Sequence, residues 1–167
     1  PISANISLPI LGRVSSLGLI DRRREKKIAQ AYAEQLQVKA AGLHAPATSL
    51  SGGNQQKVVL GKWLATEPKV LILDEPTRGI DIGTKAEVHR IVSHLATQGL
   101  AIILISSELP EVLAMSDRVL VMHEGRVTGI FDRSDANQEN VMFAATGQHG
   151  ALANTVMSEQ VAGHVAH

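Results

Sequence analysis

The chain has no cysteine among its 167 residues. Disulfides and thiolate-metal sites are therefore excluded. It has no excess of either charge, because 16 Lys and Arg balance 16 Asp and Glu. That argues against a nucleic-acid protein held by bulk charge, and no nucleic-acid partner is expected. It has no long apolar run: Leu100 to Ile105 is far short of the ~20 residues that span a bilayer. No basic segment with an apolar core opens the chain, and no internal repeat or low-complexity block interrupts it. It also has no GxxxxGKS/T loop, the usual phosphate cradle. What remains is length enough for one ordinary domain. Its first residue, Pro1, sits in ordinary sequence, which suggests a chain that begins mid-protein.

Residues 1–18 mix apolar residues with Gly, Pro and Ser, without long periodicity. Asp21 can cap a helix running to about Gln37, with Ile28, Tyr32 and Leu36 every four residues and Ala29 and Ala33 beside them. Residues 40–49 form a loop containing Pro46. A second helix is expected from Ser51–Gln55 to about Thr66, burying Val58, Val59, Leu60, Trp63 and Leu64. Glu67-Pro68 ends it, since the residue before proline avoids the helical region. Val70 to Leu73 then reads as a fully buried strand.

Thr84 opens a third helix, in which Val88, Ile91, Val92 and Leu95 recur at i, i+3, i+4 and i+7. Gly99 stands where a helix-ending glycine belongs. Leu100 to Ile105 is a second buried strand, and Pro110 to Met115 a short helix. Val119–Met122 and Val127–Phe131 bracket Glu124-Gly125, a hairpin signal. From about Ser134 the pattern weakens, and residues 148–167 read as a mobile tail. The order is α/β, with two parallel strands joined by a right-handed helical crossover.

Two short stretches carry chemistry. Asp74 and Glu75 leave the carboxyl end of a buried strand, the edge where open α/β sheets bind ligands. Asp74 could hold Mg²⁺, which takes one or two carboxylates and keeps several waters. Glu75 could accept a proton from an attacking water. Taken alone, an acidic pair at a strand end is common and needs no ligand. Ser51-Gly52-Gly53 opens a helix, whose unpaired N–H groups and dipole favour an anion. Taken alone, it also reads as an N-cap serine with flexible glycines.

Together the motifs are more specific. Leu50-Ser51-Gly52-Gly53-Asn54-Gln55-Gln56-Lys57 lies about twenty residues before VLILDEPT, which is followed by GID and, about thirty residues on, by ISSE. This order resembles the nucleotide-binding domain of ATP-binding cassette (ABC) transporters, with signature loop, Walker B, D-loop and switch loop in turn. The likeness covers about Leu50 to Asp132. NQQK, DEPTRGIDIG, SSELPEV and MSDRVLVMHEG are further similar to the second cassette of monosaccharide importers of the ribose, galactose, arabinose and rhamnose type. The fold so implied is a fragment of a P-loop-NTPase-like cassette, a parallel sheet with flanking helices and a C-terminal β-hairpin. It would be the C-terminal part of that cassette, beginning after the Walker A and glutamine loops. Residues 1–147 would belong to it: a helical subdomain over about 1–66, the Walker B and switch portion over about 67–133, and a terminal segment over 134–147.

The resemblance also implies roles. Asp74 would assist Mg²⁺ and Glu75 would polarise water at this cassette's own ATP. Ser51, Gly52, Gly53, Asn54 and Gln55 would reach the γ-phosphate of ATP on a facing cassette, and Asp81 would contact that cassette. The family usually has a histidine in the switch loop, where this chain has Ser107. Loss of one oriented donor can cost on the order of 10²–10³ in rate, so this site would hydrolyse slowly or serve mainly to bind. Implied partners are the facing cassette, integral-membrane permease subunits and a periplasmic sugar-binding protein, at the cytoplasmic face of a bacterial inner membrane. Two alternatives stay open: a half that supplies only the signature loop, and a soluble ABC ATPase of translation or DNA repair. The isolated chain would bind ATP poorly.

Other candidates read blandly. His89 and His94 suit no common zinc arrangement, His123 is structural, and His164 with His167 lies in the tail. Arg22 to Lys27 form a solvated mixed-charge face, and Trp63, the single tryptophan, belongs to the core.

Overall fold

A computed structural model describes residues 1–16 and 18–147. The expected tail and its two histidines lie outside the described residues. The chain forms two compact units, residues 1–105 and residues 106 onward.

The first unit opens with a departure from the sequence reading. Ile2–Ser7 (α1), a 3₁₀ turn over Leu8–Ile10 and Leu11–Val14 (α2) follow one another. Ile2, Ile6, Ile10 and Val14, four residues apart, are all buried and form one cluster with Ala29, Ala33, Leu43 and Val58. Pro9 and Gly12 break the regular pattern and hide this stripe. The start of α1 has no side-chain cap. Its first N–H groups are instead taken up by a loop, Ile2 donating to Ala45 O and Ser3 to Leu43 O, each at 3.0 Å. Residues Ser15–Ser16 (β1) and Leu19–Ile20 (β2) pair as a small antiparallel ribbon.

Helix α3 (Arg22–Gln35) is capped as expected, Asp21 accepting from the N–H groups of Arg23 and Arg24. Its basic opening is exposed except for Glu25, which is buried and accepts from Ser7 Oγ at 2.8 Å and Arg22 at 2.9 Å. Burial pushes the Glu25 carboxyl up. The hydrogen bonds from Arg22 and Ser7, with the charges of Arg22 and His44, outweigh it and hold the carboxyl below its ordinary value.

Helix α4 (Gly52–Leu64) buries Gly53, Lys57, Val58, Leu60, Gly61 and Leu64. The expected inner face is corrected at two positions: Val59 is 46% and Trp63 49% exposed. The helix is apolar on several sides, so hydrophobicity alone does not mark the inward stripe, which contains two glycines and a lysine. Trp63 carries the Lys62 ammonium 5.2 Å from its ring centre.

Val70–Asp74 (β3) and Ala101–Ile105 (β4) pair in parallel, with Asp74 opposite Ile105. They are joined by α5 (Ile82–Thr97), which packs against β4 and starts two residues earlier than expected. Full burial of both strands is also corrected. Leu71 and Leu73 are buried, but Val70, Ile72, Ile103 and Ile105 are exposed by 48–63%. An unbroken apolar run is the pattern of a strand covered on both faces. Among the described residues of this unit only one face is covered. Trp63, Pro68, Val70 and Ile72 line a shallow cavity of about 190 Å³ beside the open strand.

The second unit holds Leu109–Met115 (α6), Arg118–His123 (β5), Arg126–Asp132 (β6) and Gln138–Ala145 (α7). The hairpin forms as expected: Glu124 (φ 47) and Gly125 (φ 77) both take the left-handed conformation that a type I′ turn requires. Val119 and Val121 pack with Val141 and Ala144 of α7. Helix α7, like the elements before α3, is not found by the sequence reading. It begins at Asn137, whose side chain accepts from Asn140 N.

Candidate functional site

Ser51 is the N-cap of α4 by backbone conformation, φ −60° and ψ 154°, yet its side chain makes no capping hydrogen bond. Helix geometry leaves the first N–H groups without intrahelical acceptors, and the first helical bond here is Gln55 N to Ser51 O. Gly52, Gly53 and Asn54 therefore present their N–H groups around an exposed serine hydroxyl. Oriented N–H groups, a hydroxyl and the helix dipole suit an anion. The flanking side chains are tied down. Asn54 Nδ2 donates to Ser51 Oγ at 3.0 Å, and Asn54 Oδ1 accepts from Lys39 N at 2.8 Å. Gln55 Nε2 donates to Leu50 O at 2.8 Å. Asn54 and Gln55 thus hold the loop's shape with their side chains.

The two glycines differ. A Cβ on Gly52 would sit in ordinary contact with Ile80 Cγ2 at 3.5 Å. A Cβ on Gly53 would overlap Thr84 Cγ2, with Thr84 Cβ 3.0 Å away. Gly53 is buried, so its lack of a side chain lets α4 approach α5. Thr84 is fixed in turn by Asp81, the N-cap of α5. The Asp81 carboxylate accepts from Thr84 N at 3.0 Å and Thr84 Oγ1 at 2.6 Å. These bonds, the side-chain one foremost, hold the Asp81 carboxyl below its usual value. The structure therefore brings the SGG loop and the Ile80-Asp81 turn together, which the sequence placed about thirty residues apart.

Asp74 is exposed at the carboxyl end of β3. Glu75 follows in a left-handed conformation (φ 47), turning the chain out of the sheet. Its N–H donates to Ile105 O at 2.9 Å and its carbonyl accepts from Arg78 N at 3.1 Å. Such a conformation costs a non-glycine residue on the order of 1–2 kcal/mol. Among the described residues no cluster of three metal-ligating side chains occurs. One exposed carboxylate still fits Mg²⁺, which takes one or two and retains its waters.

In the second unit, Ser106 and Ser107 have different surroundings. Ser106 Oγ donates to the buried Glu111 carboxylate and accepts from Glu108 N at 3.0 Å, fixing the start of α6. Ser107 is exposed. His94 is exposed and its ring meets Gln98 Nε2 at 3.2 Å, while His123 closes β5. Among the described residues no helix is long and apolar enough to cross a membrane.

The sequence reading missed Lys57, whose burial on α4 was hidden by its charge. Its position one turn after Gly53 on the inward face was the available signal.

A family model described as "ABC transporter" matches residues 8–78. The chain is 58% identical over 147 residues to a ribose import ATP-binding protein of Rhizobium johnstonii, covering 88% of this chain and 29% of that protein. It is 59% identical over 150 residues to one of Streptomyces coelicolor, covering 90% and 30%. A xylose import ATP-binding protein of Geobacillus kaustophilus is 55% identical over 146 residues, covering 87% and 29%. The chain thus spans about three tenths of the length of these curated relatives. Among solved structures, a dimeric ATP-binding cassette in a post-hydrolysis state bound to ADP and Pi superposes with a TM-score of 0.67 at 20% identity, covering 79% of this chain and 56% of that one. Another ABC transporter cassette gives 0.68 at 23%, covering 80% and 56%. The fold is that of such cassettes, and most of the chain aligns with the import ATP-binding proteins: it belongs to the ABC transporter family.

Proposed function

We propose that this chain is part of the ATP-binding, ATP-hydrolysing subunit of a bacterial importer for a monosaccharide. It contributes half of each of two nucleotide sites. Its Ser51 hydroxyl and the N–H groups of Gly52 and Gly53 close on the γ-phosphate of ATP held by a facing cassette. Its Asp74 and Glu75 attend a second ATP. Mg²⁺, when bound, neutralises phosphate charge and polarises the bond to the leaving group. Asp74 holds a water or the ion at the end of β3. Glu75, whose backbone is anchored to β4 through the Ile105 carbonyl, orients the attacking water and takes its proton. Asp81, ionised and capping α5, faces the partner cassette beside the loop it supports. The observation that carries this reading is the Ser51 loop: an N-cap serine at the start of α4 whose side chain makes no capping hydrogen bond and is braced by Asn54.

The proposed functional division keeps a helical subdomain over 1–66, a Walker B and switch portion over 67–133, which runs across the boundary of the two compact units at residue 105, and a terminal segment over 134–147. The exposed apolar face of β3 and β4, with Val59 and Trp63, is covered by the remainder of the cassette. The subunit docks on integral-membrane permeases at the cytoplasmic face of the inner membrane and works with a periplasmic sugar-binding protein. The import proteins among the relatives favour this over a soluble ATPase. On its own the chain has only weak affinity for MgATP.

A second reading is favoured by Ser107, an exposed hydroxyl where the family has histidine. The site built on Asp74 and Glu75 then binds without efficient turnover, and the chain acts through its signature loop. Single-turnover hydrolysis by the full-length subunit decides between them. Glu75→Gln is expected to abolish hydrolysis at one site while MgATP stays bound. An unchanged rate would remove Glu75 from the chemistry and leave the second reading.

A further inference from the structure

Lys57, the last residue of the NQQK run, has no role above. It is 2% exposed and carries its ammonium group into the contact between α4 and α5. Nζ donates to Glu87 Oε2 at 2.7 Å and to the Gln37 carbonyl at 3.3 Å. The other Glu87 oxygen lies 3.7 Å from Lys39 Nζ. Lys39 N donates to Asn54 Oδ1, and Asn54 Nδ2 donates to Ser51 Oγ. One carboxylate on α5 therefore anchors two arms. The first passes through Lys57 into α4, one turn beyond Gly53. The second passes through Lys39 and Asn54 to the Ser51 hydroxyl. Glu87 stands three residues after Thr84, so the ion pair repeats, one turn on, the close contact between Gly53 and Thr84. The Lys57 hydrogen bond, with the charges of Lys57 and Lys39, holds the Glu87 carboxyl below its usual range.

The geometry points to Glu87 as a positioning residue of the signature loop: through Lys57 and Lys39 it fixes α4 and Asn54 against α5, and so aims the Ser51 hydroxyl and the neighbouring N–H groups. Glu87 touches no nucleotide in this arrangement. Asn54, held on both sides, also acts through Ser51 rather than on phosphate. The inference rests on the proposed role of the loop toward the γ-phosphate of MgATP. An ammonium left buried without its carboxylate is strongly unfavourable, so loss of Glu87 must shift α4, and loss of Lys57 removes the tie between α4 and α5 itself. A displacement of about 1 Å in a positioning element can lower a rate by ~10²-fold.

The test uses the full-length subunit with Glu87→Gln, Lys57→Met and the double variant, read by steady-state ATP hydrolysis. Affinity for MgATP is set mainly by the facing cassette. Each single variant is therefore expected to lower turnover at the site served by Ser51 by roughly 10- to 100-fold, read as the total kcat in a Glu75→Gln background where the other site is silent, while KM for MgATP stays within about twofold. The double variant should fall no further than the worse single one, because the two residues act as one unit. Should Lys57→Met fail to fold, Lys39→Ala on the exposed arm is expected to lower kcat with KM unchanged. Wild-type kcat in Glu87→Gln, or a raised KM with kcat unchanged, overturns the inference. If the unmodified subunit hydrolyses no ATP, the functional reading fails instead. Amide hydrogen exchange on the nucleotide-free protein then decides the positioning claim: faster exchange at Gly52–Gln55 in Glu87→Gln supports it, and unchanged exchange overturns it.

Discussion

Replacing each signature glycine by alanine separates helix propensity from packing. Alanine is better than glycine in a helix by up to about 1 kcal/mol. At Gly52 nothing opposes that gain, because the new methyl meets Ile80 Cγ2 at 3.5 Å. Gly52→Ala should leave stability unchanged or raise it by up to ~1 kcal/mol. At Gly53 the methyl overlaps the Thr84 side chain, and Thr84 is pinned by both of its bonds to Asp81. Overpacking of this kind costs about 1–3 kcal/mol, so Gly53→Ala should lose ~1–2 kcal/mol after the propensity gain. For a chain of this size that lowers Tm by roughly 2–8 °C. Thr84→Ser removes the overlapping methyl and keeps the hydroxyl that Asp81 accepts. Added to Gly53→Ala, it should recover most of the loss relative to Thr84→Ser alone. Urea and thermal unfolding followed by circular dichroism read all four variants. The packing argument is refuted if Gly53→Ala is as stable as Gly52→Ala, or if Thr84→Ser rescues nothing.

Ile6, fully buried in the cluster with Ala29, Ala33 and Val58, tests whether residues 1–14 belong to the core. Ile6→Ala should cost about 2–5 kcal/mol in urea unfolding, and a loss below ~1 kcal/mol would place the segment outside the core. Glu25 gives an acid-limb prediction. Its folded carboxyl lies below the unfolded value of 4.5. Its contribution is therefore present above that value and lost as pH falls through the depressed folded one. Glu25→Gln should flatten the fall in stability below pH 4.5 while lowering stability at neutral pH, and an identical acid limb would contradict the pairing of the buried Glu25 carboxylate with the exposed Arg22.

Elements whose evidence is local were legible in the sequence. Asp21 caps α3, Gly99 follows α5, and Glu124-Gly125 turns the hairpin. The Asp74-Glu75 strand end was legible for the same reason, as an apolar run that stops at two charges. The missed features depend on partners distant in sequence. The stripe Ile2, Ile6, Ile10 and Val14 crosses Pro9 and Gly12 and acquires meaning only from Ala29, Ala33 and Val58 on other helices. Trp63 was assigned inward because hydrophobicity was taken to mark α4's buried face. That face is set instead by Gly53, Lys57 and Gly61, where α4 meets its neighbours. Lys57 and Glu25 are buried charges, and sequence shows a charge without the partner that makes its burial tolerable. The sequence suggests a phosphate-loop role for Gly53. Its packing on Thr84 required the register between two helices.

Counting the ATP hydrolysed per full-length subunit in a single turnover asks most directly whether Ser51 and Glu75 serve different nucleotides. With two separate sites, Ser51→Ala and Glu75→Gln should each remove on the order of half of the hydrolysed ATP, and the double variant should remove nearly all of it. If the double variant loses no more than either single one, both residues act on one nucleotide and the division into two half-sites is wrong.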